Sequence, residues 1–286
     1  MYLSFPQIDP VIFSIGPFSF HWYGLMYILG FIFTIQTTKK RLNKCHFLNE
    51  KNLEELLYYS FFGVVFGGRI GYFLFYNLYF FIKNPICIFK FWEGGMSFHG
   101  GLIGASLVLL LYTKYNNFNF FKITDIIVPS IPFGLGIGRI ANFINGELYG
   151  KVAINIPWAI LFPSTRELDI TYIFHNPEWY LIFNKYGVLP RHPSQIYEMI
   201  LEGLILFIIL NYFYNKSLPV GSISGIFLIL YGIFRIIGEY FRQPEIYFYI
   251  SNNIISMGQI LSLPMIGIGI VIIFFSYRRR RSTYIQ

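Results

Sequence analysis

Gly138-Arg139-Ile140-Ala141-Asn142-Phe143-Ile144-Asn145-Gly146-Glu147-Leu148-Tyr149-Gly150 ends an apolar run that begins near Ile123. The run suddenly carries an arginine, two asparagines and a glutamate. A charge inside a bilayer costs roughly 2.5–3.5 kcal/mol on insertion scales, so it sits there for a task and with a partner. Arg139, Asn142 and Asn145 step by three, which puts them along one helical face. Glu147, Gly146 and Gly150 follow where that helix should leave the bilayer. A fixed guanidinium beside amide groups is what recognition of a phosphate or carboxylate requires.

The rest of the chain fits a membrane setting. It has 286 residues, a mean hydropathy of +0.53 and only 13% charged residues. A soluble domain carries about 25% and lacks apolar runs near 20 residues. The net charge of +8 lies largely in short clusters beside apolar runs: Lys39, Lys40, Arg41 and Lys44, then Arg278 to Arg281. Such clusters fit cytoplasmic loops and anionic lipid head groups, and no aromatic-interleaved basic groove points to nucleic acid. The N-terminal stretch has no basic region and no small-residue cleavage site, so the first span is expected to act as its own insertion signal. No Cys/His cluster has ligand spacing, so no metal and no soluble cofactor is expected.

Seven apolar spans are expected, in an all-α polytopic membrane protein. They run from about Phe18 to Thr37, Leu56 to Phe75, Gly95 to Tyr112, Ile123 to Ile144, Ile196 to Tyr214, Val220 to Phe241 and Ile254 to Tyr277. The basic clusters place the N-terminus outside and the C-terminus inside. Cys45 and Cys87 then fall on opposite sides, which excludes a disulfide between them. Gly63, Gly67 and Gly71 in span two, and Gly100 and Gly104 in span three, form small-xxx-small faces that let helices approach closely. Pro129, Pro132, Gly134, Gly136 and Gly138 predict an interrupted span four. Residues 145–195 are too polar to span and read as a small head insertion on the outer face of one membrane domain.

This topology gathers polar groups at one depth. Arg69, Arg139 and Arg235 all lie in the outer part of outward-going spans, and His21, Tyr23 and His99 lie near the outer starts of inward-going ones. In span six, Tyr231, Arg235 and Glu239 repeat at i, i+4, i+8 and share a face. Each has a plainer reading: a structural ion pair for Arg235 and Glu239, a packing residue for Arg69, an interfacial aromatic for Tyr23, a satisfied histidine for His99. Arg191 and His192, flanked by Pro190 and Pro193, read as a structural turn. From these residues alone two classes stay open, an enzyme acting on a lipid phosphate in the outer leaflet and a multi-pass transporter of an anionic solute. The scarcity of polar residues in the inner half, beyond Asp125, counts against a translocation path.

The quoted segment resembles the signature of the prolipoprotein diacylglyceryl transferase family. His21 to Tyr27, Gly94 to Gly104, Arg191 to Glu198 and Tyr231 to Arg242 also resemble that family, so the likeness covers almost the whole chain. It implies transfer of the sn-1,2-diacylglyceryl group from phosphatidylglycerol to the thiol of the lipobox cysteine of a prolipoprotein. Glycerol-1-phosphate is released, and the step is the first of bacterial lipoprotein maturation. It also implies a bacterial inner-membrane location, seven spans, a periplasmic head domain and an active site toward the periplasm. By the same likeness Arg139 and Arg235 fall on the essential arginines, and His99 on a histidine proposed as the base or thiol activator. The chemistry then assigns the phosphate to Arg139 and the leaving phosphate or the thiolate to Arg235, oriented by Glu239. Tyr23 is the alternative acceptor of the thiol proton. Asn142, Asn145, Glu147, Gly150, Tyr231 and His21 are expected to complete the substrate-binding set.

Overall fold

Every expected span carries a helix, and local residue chemistry explains several of the boundaries. The computed structural model describes residues 2–16, 18–43, 48–90, 95–244, 247–250 and 253–283. Lys44, Cys45 and Gly94, and the side chains of His99, Arg280 and Arg281, lie outside the described residues.

In chain order, strands β1 (Leu3–Ser4), β2 (Val11–Ile15) and β3 (Phe18–His21) precede α1 (Trp22–Leu42). Helices α2 (Glu50–Tyr76), α3 (Leu78–Lys83), α4 (Phe98–Tyr115) and α5 (Phe120–Ile127) follow. A 3-10 turn at Val128–Ser130 separates α5 from α6 (Ile131–Ile144), the interruption that Pro129 and Pro132 predict. The polar insertion holds β4 (Ile160–Leu161), α7 (Arg166–His175), α8 (Tyr180–Tyr186) and β5 (Pro190–Arg191). Then α9 (Ser194–Glu198) passes through a π-helical segment, Met199–Ile205, into α10 (Leu206–Tyr214). Helix α11 (Ser222–Phe241), the hairpin of β6 (Tyr247–Ile250) and β7 (Asn253–Ser256), and α12 (Met257–Thr283) complete the order. Among the described residues, four stretches are long and apolar enough to cross a membrane: Phe120–Ile144, Ser194–Tyr214, Ser222–Phe241 and Met257–Arg279.

The protein is mostly helical, but the all-α expectation needs adjusting, because short strands flank several helices. The first span does not start at Phe18. Phe18-Ser19-Phe20-His21 alternates apolar and polar residues, and it pairs antiparallel with β2 in the register Phe13↔Phe20 and Val11↔His21. The last helix likewise starts at Met257 rather than Ile254, because Asn253–Ser256 pairs with β6.

The chain divides into two compact units, residues 31–127 and residues 1–30 with 128–286. In the first, α2 and α4 pack through their glycine faces. A methyl group added at Gly71 would come within 2.6 Å of the Gly100 Cα, so the backbones themselves are in contact. Arg69 is buried here, and its guanidinium donates to the carbonyls of Cys87 (2.7 Å), Lys90 (2.7 Å) and Gly95 (3.2 Å). These bonds tie the segment leading into α4 onto α2, and Ser97 then caps α4 by accepting from the Gly100 N–H. The geometry supports the packing reading of Arg69. Cys87 is a buried free thiol.

In the second unit, Val128, Leu206, Leu210, Ile223 and Tyr231 form the apolar core between the 3-10 turn, α10 and α11. Its three-stranded sheet has the order β1-β4-β5, with β1 parallel and β5 antiparallel to β4. Arg191 on β5 is fully buried and paired with the equally buried Asp169 of α7. It also donates to the Gly150 carbonyl at 3.0 Å, while Asp169 accepts from the Leu189 N–H and the Thr165 hydroxyl. The structural reading of this arginine is the one its bonds support. Arg191→Ala leaves a carboxylate buried without its cation, a change that costs about 3–5 kcal/mol in comparable pairs. We expect a marked fall in the detergent melting temperature, and an unchanged melting temperature would show that the pair holds nothing together.

Candidate active site

Residues of the unit formed by 1–30 and 128–286 assemble the site. Helix α6 brings Arg139 to the start of the fifth span, where Glu198 and Glu202 lie four residues apart across the onset of the π-helical segment. Arg139 Nη1 is 3.0 Å from Glu198 Oε2, and its Nη2 and Nε donate to Glu202 Oε2 at 2.9 and 3.3 Å. From α11, Arg235 Nη1 donates to Glu198 Oε1 at 3.1 Å and to Glu202 Oε1 at 3.5 Å, while its Nη2 pairs with Glu239. Arg242, just past the end of α11, lies 3.6 Å from Glu239 and 4.0 Å from Glu198. Three arginines thus meet three glutamates in one ionic cluster. Charges of this density are tolerable away from water only because each faces an opposite partner.

Accessibility is unequal within the cluster. The side chains of Glu198 and Glu202 are 0% exposed, whereas Arg139 and Arg235 keep 15% and 16% of theirs open. The glutamates form a floor, and the arginines face out from it. A donor array of this kind, partly exposed and backed by fixed carboxylates, suits an incoming phosphate.

The remainder of the quoted segment is a loop tied down by its backbone. Gly146 (φ +64°) and Leu148 (φ +58°) both adopt left-handed geometry, which a leucine rarely does. Gln195 and Ser194 at the start of the fifth span hold the loop by donating to the carbonyls of Glu147 (2.6 Å) and Leu148 (2.8 Å). Glu147 accepts from the amides of Asn142 (2.8 Å) and Asn145 (3.4 Å), so these three predicted residues do come together. Asn145 Oδ1 is buried without a hydrogen-bond partner. Beside it opens a cleft of about 410 Å³ lined by Phe5, Gln7, Asp9, Gly146 and Ser164. Gly150 is buried at a backbone junction, its N–H donating to the His192 carbonyl at 3.0 Å.

The other predicted residues lie beside this cluster or away from it. Tyr231 is buried in the apolar core, where it stacks on Phe227, and is within electrostatic reach of Glu202, Arg235, Arg139 and Glu198. Tyr23 accepts from the Tyr27 hydroxyl at 3.4 Å on α1, and Tyr27 is within electrostatic reach of Arg139 and Glu147. His21 is an exposed residue at the end of β3. His99 opens α4 in the other unit. His192, part of the proline-flanked turn, bonds the Tyr197 hydroxyl at 3.2 Å; partial burial and the nearby Lys151 hold its imidazole below the usual range.

Sequence reasoning missed Glu198 and Glu202 as site residues, and Arg242 with them. A charge count would have found the glutamates, since two intramembrane arginines beside a single acid, Glu239, leave one cation without its partner.

Comparison with known proteins finds relatives that match along nearly the whole chain. The family model described as prolipoprotein diacylglyceryl transferase matches residues 10–275. A phosphatidylglycerol–prolipoprotein diacylglyceryl transferase of Sodalis glossinidius is 54% identical over 286 residues, covering 100% of this chain and 99% of the relative. One from Erwinia tasmaniensis is 56% identical over 98% of this chain and 96% of its own. One from Yersinia enterocolitica is 57% identical over 97% of each.

Proposed function

We infer the reaction from one premise: the chain belongs to the prolipoprotein diacylglyceryl transferase family. It is a transferase that moves the sn-1,2-diacylglyceryl group of phosphatidylglycerol onto the lipobox cysteine of a prolipoprotein, the first step of lipoprotein maturation. High identity over nearly the full length carries the activity. The paired arginines, mostly buried but each still partly open above the carboxylate floor, carry the reading of where it happens.

In this reading the phosphodiester of the lipid meets Arg139 and Arg235. The cysteine sulfur attacks the glyceryl carbon that bears the phosphate, a carbon–sulfur bond forms, and the carbon–oxygen bond breaks. Its electron pair goes to the phosphate oxygen, so glycerol-1-phosphate leaves with one more negative charge than the diester had. Donors already aimed at that oxygen stabilise the transition state more than the ground state. Asn145 Oδ1, a buried acceptor without a partner, suits a hydroxyl of the glycerol head group, and Asn142 with Glu147 holds the loop that presents it. Gly150 serves by close packing, and Tyr231 by backing the helix that carries Arg235. The thiol proton goes to His99 or Tyr23, and His21 sits at the entrance to α1. Both substrates react without an enzyme nucleophile.

The same reading places seven spans in the bacterial inner membrane, with the N-terminus and the 145–195 head in the periplasm and the C-terminus in the cytoplasm. The lipid bilayer and the prolipoprotein are its partners, and nucleic acid is not. The basic ends of α1 and α12 support this orientation.

The decisive assay uses purified protein in detergent, phosphatidylglycerol and a synthetic lipobox peptide, following glycerol phosphate release and peptide mass. Release should require the peptide cysteine and match the mass gain mole for mole. Release with a Cys→Ser peptide, or none with the cysteine peptide, would overturn the transfer.

A further inference from the structure

The two buried glutamates do something that neither charge balance nor the known reaction requires of them. Each spans both arginines. Glu198 reaches Arg139 with Oε2 (3.0 Å) and Arg235 with Oε1 (3.1 Å). Glu202 reaches Arg139 with Oε2 (2.9 Å) and Arg235 with Oε1 (3.5 Å). Two guanidinium groups on separate helices repel one another, yet here each is held in place by two carboxylates shared with the other. The floor itself is braced. Gly203, in the π-helical segment, packs on Gly136 of α6 so closely that an added methyl group would sit 2.6 Å from the Gly136 Cα. The segment carrying the glutamates and the helix carrying Arg139 therefore cannot drift apart or rotate without breaking that contact. π-Helical turns recur at functional positions.

We propose that Glu198 and Glu202 are positioning residues that set the spacing and orientation of the Arg139–Arg235 pair for the departing phosphate. This rests on the reading of that pair as the phosphate site. The cluster of three arginines and three glutamates is neutral, so it offers the singly charged diester little net attraction. Its value lies in geometry, donors fixed where the leaving oxygen gains charge. The signature is distinctive. Removing the charge of Glu202 makes the cluster more positive, so the lipid should bind as well or better, while the slackened arginines lower turnover.

The test is steady-state transfer in detergent by wild type, Glu202→Gln, Glu202→Asp, Arg139→Lys and the Arg139→Lys/Glu202→Gln double variant, with melting temperatures for each. For Glu202→Gln the kcat should fall about 100-fold, the scale of a 1 Å misplacement, with KM for phosphatidylglycerol unchanged or lower. Glu202→Asp keeps the charge but loses one methylene of reach, and should recover part of the lost kcat at wild-type KM. It carries the test if Glu202→Gln does not fold. The double variant should lose much less than the product of the single losses, because both act through one guanidinium. A folded Glu202→Gln enzyme with normal kcat, a rise in KM at constant kcat, or multiplicative losses would each overturn the proposal. Arg139→Ala is run alongside. If it is inactive while Glu202→Gln is normal, only the positioning role falls; if it transfers normally, the phosphate site falls and this inference with it.

Discussion

Arg139→Ala should lower diacylglyceryl transfer at least about 100- to 1,000-fold, the cost of removing one preorganised donor from a developing anion. The site predicts two separable losses. The first is chemical, because Arg139 is a partly open cation bound directly to both buried glutamates, with 15% of its side chain exposed. The second is structural, because Glu198 and Glu202 would then share their buried floor with one guanidinium fewer, and uncompensated buried charge costs about 3–5 kcal/mol. Arg139→Lys separates the two. Lysine keeps a positive charge between the carboxylates, so the fold should survive and the melting temperature should move little. It lacks the planar fork that donates to Glu202 through both Nε and Nη2, so it cannot hold that carboxylate and still face a phosphate. Transfer by Arg139→Lys should therefore stay at least about 10-fold below wild type, a loss of the size expected for a charge-assisted bidentate contact. Initial rates of glycerol phosphate release, together with thermal unfolding, settle it. A well-folded Arg139→Lys enzyme at the wild-type rate would remove any need for the fork.

What the sequence made legible follows from which signals are local. An arginine in an apolar run is conspicuous wherever it folds, so Arg139 and Arg235 stood out unaided. Arg235 and Glu239 are four residues apart on one helix, a spacing readable by eye, and they do pair. Glu198 and Glu202 belong to a stretch of mean hydropathy 1.8 and are 37 and 33 residues from Arg235. Their role is tertiary and left only an indirect trace, the shortage of acids to match the intramembrane arginines. Arg69 shows the limit of such signals. Its expected outer placement is the same as that of the other two arginines, with a packing role left open, and backbone carbonyls take up its donors. Residue type and depth do not distinguish an arginine aimed at a ligand from one that satisfies a loop. Phe18–His21 was absorbed into the first span because hydropathy averages over a window, whereas its period-two alternation marked a strand. The head insertion was legible as polar, but its keystone, Arg191 with Asp169, joins residues 22 apart and had no sequence signature beyond two flanking prolines.

Gly150→Ala should abolish most of the activity while changing the side chain by a single methyl group. The segment around Gly150 runs between two others, bridging Arg242 on one side, and donating to His192 on the other. A methyl group there would lie 2.6 Å from the His192 Cβ and 2.8 Å from the Phe241 carbonyl oxygen, and closer still to the His192 carbonyl. Carbonyl oxygens of two separate segments cannot swing aside as the end of a flexible side chain can, so at least one strand must move. Each direction reaches the site. Moving the 241–242 side shifts Arg242, which pairs with Glu239 and Glu198. Moving the His192 side shifts the turn that leads into Glu198, and it disturbs Arg191, whose guanidinium binds the Gly150 carbonyl. Overpacking of a well-filled position costs about 1–3 kcal/mol in stability, which leaves much of the protein folded. A displacement of about 1 Å in the arginine cluster costs about 100-fold in rate. The expected result is thus a protein with a modestly lowered melting temperature and a kcat reduced far beyond what its folded fraction explains. A Gly150→Ala enzyme with near-normal kcat would mean that the junction yields without moving the ionic cluster, and that the signature loop and the arginines are mechanically independent.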